Sequence, residues 1–499
     1  MPAGAVRDCV MNAKTPCDKA CSDSEKGRGG WREKNAGTSA SSLKNIIFAV
    51  ATAQFLLPFM VAGAGPLLPS IGRDLSASAM ELSLINALYT LSLAIVYLVS
   101  GRVGDILGRK RVFLTGLTVF TCMCALLPLA PNIETFLLMR FVQATGTAMM
   151  NTSALAILAS SAPASMLGRV LGVASIGMYA GLSLGPGLAS AVAAMSDWRY
   201  LFWGVVPVGV LAWCLMAFTV KGDWRDAPDS PFDWKGAILY AAGIGALSAG
   251  AMWLLKGPWA AGLLIAGLAG LALFAWSETR CPCPILDVRF LLRNRVFALS
   301  TVASLINYSS TFGVMFYFSL FLQGVHGLGI LQTGLMISIQ TAVQIFVAPG
   351  AGKLADKRGA GKVATAGMAL CGVGLLISAF LDGSSSLMQV AAAQLVLGIG
   401  IALFASPNTS AIMGAVDQAH TGQASGLVGA MRTMGMLFSM VIISLTMNSF
   451  LGDAPLNADN VDAFLEAMHV NFILFGVLNL VGIFFSFARL RAGRTTPAE

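Results

Sequence analysis

The chain has 499 residues, of which 56 % are hydrophobic and 11 % charged, whereas a soluble domain carries about 25 % charged residues. That balance excludes a soluble globular enzyme, and apolar runs without period-two alternation exclude a closed barrel, which leaves an all-α polytopic membrane protein. The net charge of +8 does not call for nucleic acid, because Lys and Arg in such a protein are first accounted for by cytoplasmic loops.

Residues 1–45 are polar and charged, show no cleavable signal peptide, and read as a disordered cytoplasmic tail that holds Cys9, Cys17 and Cys21. From Ile46 to Leu490 the chain is made of apolar runs of the roughly 20 residues that cross about 30 Å of hydrocarbon as helix. Breaks rich in charge, Pro or Gly separate fourteen predicted spans, near 46–69, 81–100, 112–130, 134–158, 168–195, 199–220, 234–253, 259–277, 296–322, 331–352, 363–381, 387–414, 421–450 and 468–489. Residues 491–499 form a second tail. With the N-terminus inside, 27 of the 32 Lys and Arg fall on the inner side, Arg73, Arg199 and Lys256 fall outside, and Arg140 and Arg432 lie within spans. A missed span would invert every later loop, so both termini are expected to be cytoplasmic in a plasma (inner) membrane.

Between spans two and three stands GRVGDILGRKR, with five charges in eleven residues, and a similar GKLADKRGAGK follows span ten. Gly101, Asp105 and Gly108 match Gly352, Asp356 and Gly359 at a constant shift of 251, and Gly146, Gly168, Gly172 and Gly181 match Gly400, Gly422, Gly426 and Gly435 at a shift of 254. The ordered set divides the chain into six-helix halves at 46–220 and 296–490, joined by a 221–295 linker with two extra spans. Parallel duplication of this kind is a transporter signature, with substrate held between the halves near mid-membrane.

Arg140 follows Glu134 by six residues, about 9 Å along a helix. A charge there costs several kcal/mol unless it snorkels or faces a polar cavity. Asn86, Tyr89, Asn307 and Tyr308 are polar span residues that either line such a cavity or bond neighbouring helices. No Asp or Glu falls in the middle of a span, which favours a neutral or anionic amphipathic substrate over a hard cation. GKL at Gly352 and GKV at Gly361 lack the Ser/Thr of a phosphate-binding loop, and no convergent His, Cys and acid group marks an enzyme. Neither a cofactor nor a metal site is expected.

These residues resemble a known family. GRVGDILGRKR, with Arg109 in its basic cluster, looks like the signature between spans two and three of the major facilitator superfamily. DWRYLFWGVVPVGV, from Asp197 to Val210, is similar to the sixth-span signature of its fourteen-span drug:proton antiporter branch. RFVQATGTA resembles the fourth-span motif through Arg140, Gln143 and Gly146, with Ala144 where glycine is usual. GLSLGPGLAS is similar to the fifth-span antiporter motif through Gly181, Gly185, Pro186 and Gly187, and RTMG from Arg432 looks like a recurring late-span stretch. The resemblance implies the major facilitator fold in a 6+2+6 arrangement. It also implies a secondary transporter that exports small amphipathic compounds in multidrug fashion, by alternating access and proton antiport, as a monomer in the lipid bilayer. It implies that the loop of Gly101, Asp105, Gly108 and Arg109, with Gly352, Asp356 and Gly359 in its repeat, braces span two against span thirteen and closes the cytoplasmic side. Arg140, Gln143 and Arg432 would handle substrate or proton. Met60 stands where the branch often has an aspartate, which leaves open an uncoupled facilitator or exporter of one neutral or anionic metabolite, and a non-transporting sensor.

Overall fold

In hydrocarbon no water is available to backbone N–H and C=O groups, so a chain this apolar satisfies them within helices. The computed structural model describes residues 40–77, 79–195, 197–227, 230–254, 257–452 and 460–492. The expectations for the N-terminal tail up to residue 39, with its cysteines, and for Lys256 and residues 493–499 lie outside the described residues.

Among the described residues, fourteen long helices stand where the fourteen spans are expected. They are α1 (Ala40–Asp74), α2 (Ala79–Leu107), α3 (Arg109–Leu126), α4 (Ile133–Ser161), α5 (Leu167–Met195) and α6 (Arg199–Thr219). There follow α7 (Trp234–Met252) and α8 (Pro258–Glu278), then α9 (Arg295–Gly324), α10 (Ile330–Arg358), α11 (Ala360–Ala379), α12 (Leu387–Gly414), α13 (Thr421–Leu451) and α14 (Val461–Ala492). Twelve are long and apolar enough to cross a membrane. The two others are α4, diluted by Arg140 and Gln143, and α7, diluted by Lys235 and many small residues.

The halves repeat each other's packing. In the first, α1 packs on α5, α2 and α3 on α4, and α3 on α6. In the second, α9 packs on α13, α10 and α11 on α12, and α11 on α14. The seam between halves is made by α5 with α10 and by α2 with α13, related by the same exchange. Glycine repeats set the close approaches: a Cβ on Gly116 would sit 2.6 Å from Gly146 O, and one on Gly367 2.8 Å from Gly400 O. The first half buries Phe136, Trp198 and Phe202 edge to face, with centroids 5.8 to 6.0 Å apart, at about 0.5–1.5 kcal/mol per pair beyond area burial. Tyr317, Phe318 and Phe472 fill the corresponding core of the second. The α7–α8 hairpin lies against α2 and also touches α13.

Three expectations are corrected. Helix α1 begins at Ala40, so residues 40–45 belong to it and not to a tail. The charged stretches are not loops: α2 continues to Leu107 and α10 to Arg358, leaving Gly108 and Gly359 as single-residue turns. Their φ values of 110° and 92° lie where a side chain is strained, so glycine lets one residue reverse the chain and the charges stay on helix. The ninth span is interrupted at Phe312 and Gly313, where the Ser439 hydroxyl accepts the Gly313 N–H at 2.9 Å.

Candidate functional site

Helix N-termini carry unpaired N–H groups and a partial positive charge, so a carboxylate placed there makes strong bonds. Asp356, near the end of α10, takes that place at the start of α5: Gly168 N–H donates to Oδ1 at 2.7 Å and Arg169 N–H to Oδ2 at 2.9 Å. Its repeat partner Asp105, near the end of α2, lies against the start of α13, where a Cβ on Gly422 would collide with both carboxylate oxygens. Beneath each carboxylate two backbones touch. A Cβ on Gly352 would strike Gly168 O, and one on Gly101 would strike Gly422 O. One turn further in, a Cβ on Gly172 would come within 2.6 Å of Ala348 O, and one on Gly426 within 2.7 Å of Tyr97 O. Both contacts cross between the halves at one end of the bundle, here called the basic face, and they close the seam there.

The two corners differ in charge. Asp105 and Arg109 are both buried, and Arg109 Nη2 donates to Asp105 Oδ1 at 2.9 Å. Arg109 also donates to Asp226, to the Ser160 hydroxyl and, at 3.2 Å, to Gln418 O across the seam. The linker after α6 wraps this corner: Arg109 N–H donates to Trp224 O at 3.0 Å, and Ala227 N–H to Asp105 O at 3.0 Å. At the other corner the residue after the turn is Ala360, so no such network forms.

Above the seam a small cavity opens between the halves. Gln54 of α1, Asn151 of α4, Ser175 of α5, Tyr308 of α9 and Thr409 of α12 reach it, and no acid is among its described lining residues. Arg432 of α13 stands over it and crosses to the first half, donating to Tyr97 Oη at 3.3 Å and to Met178 Sδ at 3.4 Å. Tyr308 faces the same guanidinium.

Arg140 lies deeper toward the opposite face and is fully buried, so the snorkelling alternative falls. Its Nη1 donates to Gln143 Oε1 at 2.7 Å, and its guanidinium carbon sits 4.5 Å from the Tyr89 ring centroid. Gln143 in turn donates to Cys124 Sγ at 3.0 Å, and the Tyr89 hydroxyl bonds the Thr147 hydroxyl at 3.0 Å. Two guanidinium nitrogens, Nε and Nη2, have no hydrogen-bond partner.

The sequence-derived site therefore splits into three. The residues expected to gate meet at the basic face, Arg140, Gln143 and Tyr89 form one cluster, and Arg432 and Tyr308 form another at the cavity. Asn307 is buried beside Cys371, away from the cavity lining, and Asn86 is half-buried a turn before Tyr89. Gly181 and Gly185 turn to α1, where a Cβ would strike Phe55 O and approach Phe59 O to 2.9 Å; Gly187 faces open space and Pro186 sits inside α5. Met60 is fully buried in the first core. Tyr97 and Arg489 are missed by motif reading. Arg489 is buried near the end of α14, donating to Asn408, to Ser300 Oγ at 3.0 Å and to Gly361 O at 2.9 Å. Its signal is a basic residue one turn before the end of an apolar helix.

The sequence profile of the Major Facilitator Superfamily matches residues 50–440 and 300–499. The multidrug resistance protein Stp of Mycobacterium tuberculosis is 29 % identical over 77 % of this chain and 72 % of its own. The tetracenomycin C resistance and export protein of Streptomyces glaucescens is 27 % identical over the same shares, 77 % and 72 %. The crystal structure of the human organic anion transporter MFSD10 superposes with a TM-score of 0.67 at 14 % identity, over 89 % of this chain and 99 % of that one. Duplicated halves, a seam closed at one face and a profile that runs from the first helix to the last make this chain a member of the Major Facilitator Superfamily of membrane transporters.

Proposed function

We propose that the protein exports small amphipathic compounds by alternating access in exchange for protons, with the basic face and both termini toward the cytoplasm of the plasma membrane, and that it acts as a monomer. The observation that carries this reading is the pair of carboxylate-to-helix-start corners, which close one end of a cavity lying between two repeated halves. Opening them and closing the opposite end would move the cavity from one side of the membrane to the other. Multidrug resistance and export in the names of Stp and the tetracenomycin protein support the outward direction. The Gly-Pro-Gly order of α5 supports it as well.

The cavity favours a neutral or anionic compound. Its described lining carries hydroxyls, amides and a nearby arginine, and a buried cation without a carboxylate would be uncompensated. Arg140 and Arg432 are the residues proposed to handle proton or substrate, Arg140 with Gln143 and Tyr89, Arg432 with Tyr97 and Tyr308. Because Met60 is buried hydrocarbon, uncoupled export is the second reading.

Inside-out vesicles given a pH gradient and a panel of cationic, neutral and anionic dyes separate the two. Uptake of neutral or anionic dyes that a protonophore abolishes is the expected result. Uptake indifferent to the gradient would sink antiport and leave the uncoupled exporter.

A further inference from the structure

The α7–α8 hairpin lies outside both repeats, and its base on the basic face holds two carboxylates in contact distance of one glycine. Asp233 caps α7, its Oδ1 accepting Gly236 N–H at 2.9 Å. Glu278 ends α8 with 2 % of its surface exposed; Oε2 accepts Leu286 N–H at 3.0 Å, while among the described residues Oε1 has no hydrogen-bond donor. A Cβ on Gly236 would collide with Glu278 Oε1 and lie 2.8 Å from Asp233 Oδ2, so these two oxygens border the same gap. Two ionised carboxylates are acceptors only, and in a buried setting they repel and leave each other unsatisfied.

One cation faces the pair. Arg102 of α2 is buried nearby and is attracted by the Glu278 charge, but among the described residues its Nε is unpartnered and no ion pair joins it to either acid. Asp105 of α2 faces Arg102 and adds negative charge to that side, and the Cys281 thiol in the following loop bonds the Asp233 carboxylate without supplying charge.

We infer that Asp233 and Glu278 form a proton-binding site, in which one shared proton bridges Asp233 Oδ2 and Glu278 Oε1. The pair ties the residue before α7 to the last residue of α8 and so locks the base of the hairpin. It also reaches the seam: Leu286, bonded to Glu278, precedes Asp287, whose N–H donates to Gln423 Oε1 of α13 at 3.1 Å. Occupancy of the site by a proton thus bears on how the hairpin holds the start of α13.

The test is an infrared titration of the full-length protein in lipid nanodiscs, from about pH 5 to about pH 9, above the ordinary carboxylate range of about 4. The expected result is a protonated-carboxyl band equivalent to one group per chain that is lost in both Glu278→Gln and Asp233→Asn. In Glu278→Gln the amide N–H replaces the proton as donor to Asp233, so that variant folds and its melting temperature stays level over the alkaline limb where the parent's falls. A parent without the band, a band that survives in both variants, or a band removed at constant pH by added sodium or calcium would overturn the proposal; the last would assign the site to a cation.

Discussion

Arg140 is a buried cation whose neighbours offer an amide, a hydroxyl and a ring face but no carboxylate. Such a charge weakens the resting fold by about 1–4 kcal/mol relative to a hydrophobic isostere, which fits the role in handling charge proposed for it. Arg140→Met is therefore expected to keep or raise the melting temperature while lowering dye transport by at least about tenfold; a parallel loss of folded protein and transport would make Arg140 a packing residue. His420, in the turn before α13, is the second residue-scale case. Burial opposes its charged form, but its bond to Asp417 and the charges of Asp417, Asp287 and Asp105 outweigh this and raise its pKa above the ordinary value. Its ring stacks on Phe290 at 4.2 Å, which holds it between Asp417 and Asp287. The stabilisation is full below the ordinary histidine pKa and fades as pH rises through the raised one. Acylation by diethyl pyrocarbonate, followed by peptide mass spectrometry, should titrate above free histidine in the parent and fall back in Asp417→Asn. A parent midpoint at or below free histidine would contradict this. Arg140 was visible in the sequence as a charge inside an apolar run free of acids, whereas its seat over the Tyr89 ring was not, since that depends on which face of α4 meets α2.

At the level of elements, the paired corners act through α2, α5, α10 and α13. Asp356→Ala removes two charge-assisted bonds, each worth roughly 1.5–3 kcal/mol, from the state with the basic face closed. Since about 1.4 kcal/mol is a factor of ten, the population open at that face should rise at least about tenfold, read by alkylation of a cysteine placed in the cavity from that side. Unchanged alkylation would remove Asp356 from the closure. Gly422→Ala should open the other corner, because the new methyl meets the Asp105 carboxylate. The repeat spacings of 251 and 254 already singled out these residues, and the first also relates Tyr97 to Ala348 and Gly116 to Gly367. What spacing could not reveal is that the charged stretches are helical. Charge density reads as loop, yet a helix at headgroup depth bonds its own backbone and needs one glycine to turn.

For the molecule as a whole, the fourteen-helix order and the gathering of Lys and Arg at one face were legible because hydrocarbon thickness and loop charge constrain sequence directly. The cavity was legible only as a set of polar span residues that includes Tyr308; that Tyr308 meets Gln54 and Asn151 there was not, since the three come from helices whose rotations only packing determines. The hairpin's allegiance was equally hidden. The Tyr240 hydroxyl donates to Ala94 O of α2 at 2.9 Å, so α7 should travel with the first half. Spin labels on α7 and α2 are expected to keep their distance when the transporter is driven between states, while labels on α7 and α13 separate; the reverse would place the hairpin with the second half. Arg109, finally, has Ala360 as its counterpart, so the two corners are fastened differently: Asp356 takes two helix-start N–H groups across the seam, whereas Arg109 reaches across the other corner to Gln418 O at 3.2 Å. Two unlike fastenings on one seam are expected to yield one after the other, not together. An opening at the basic face would then widen from one side of the seam, and cysteines placed beside Gly168 and beside Gly422 should become reactive to different degrees.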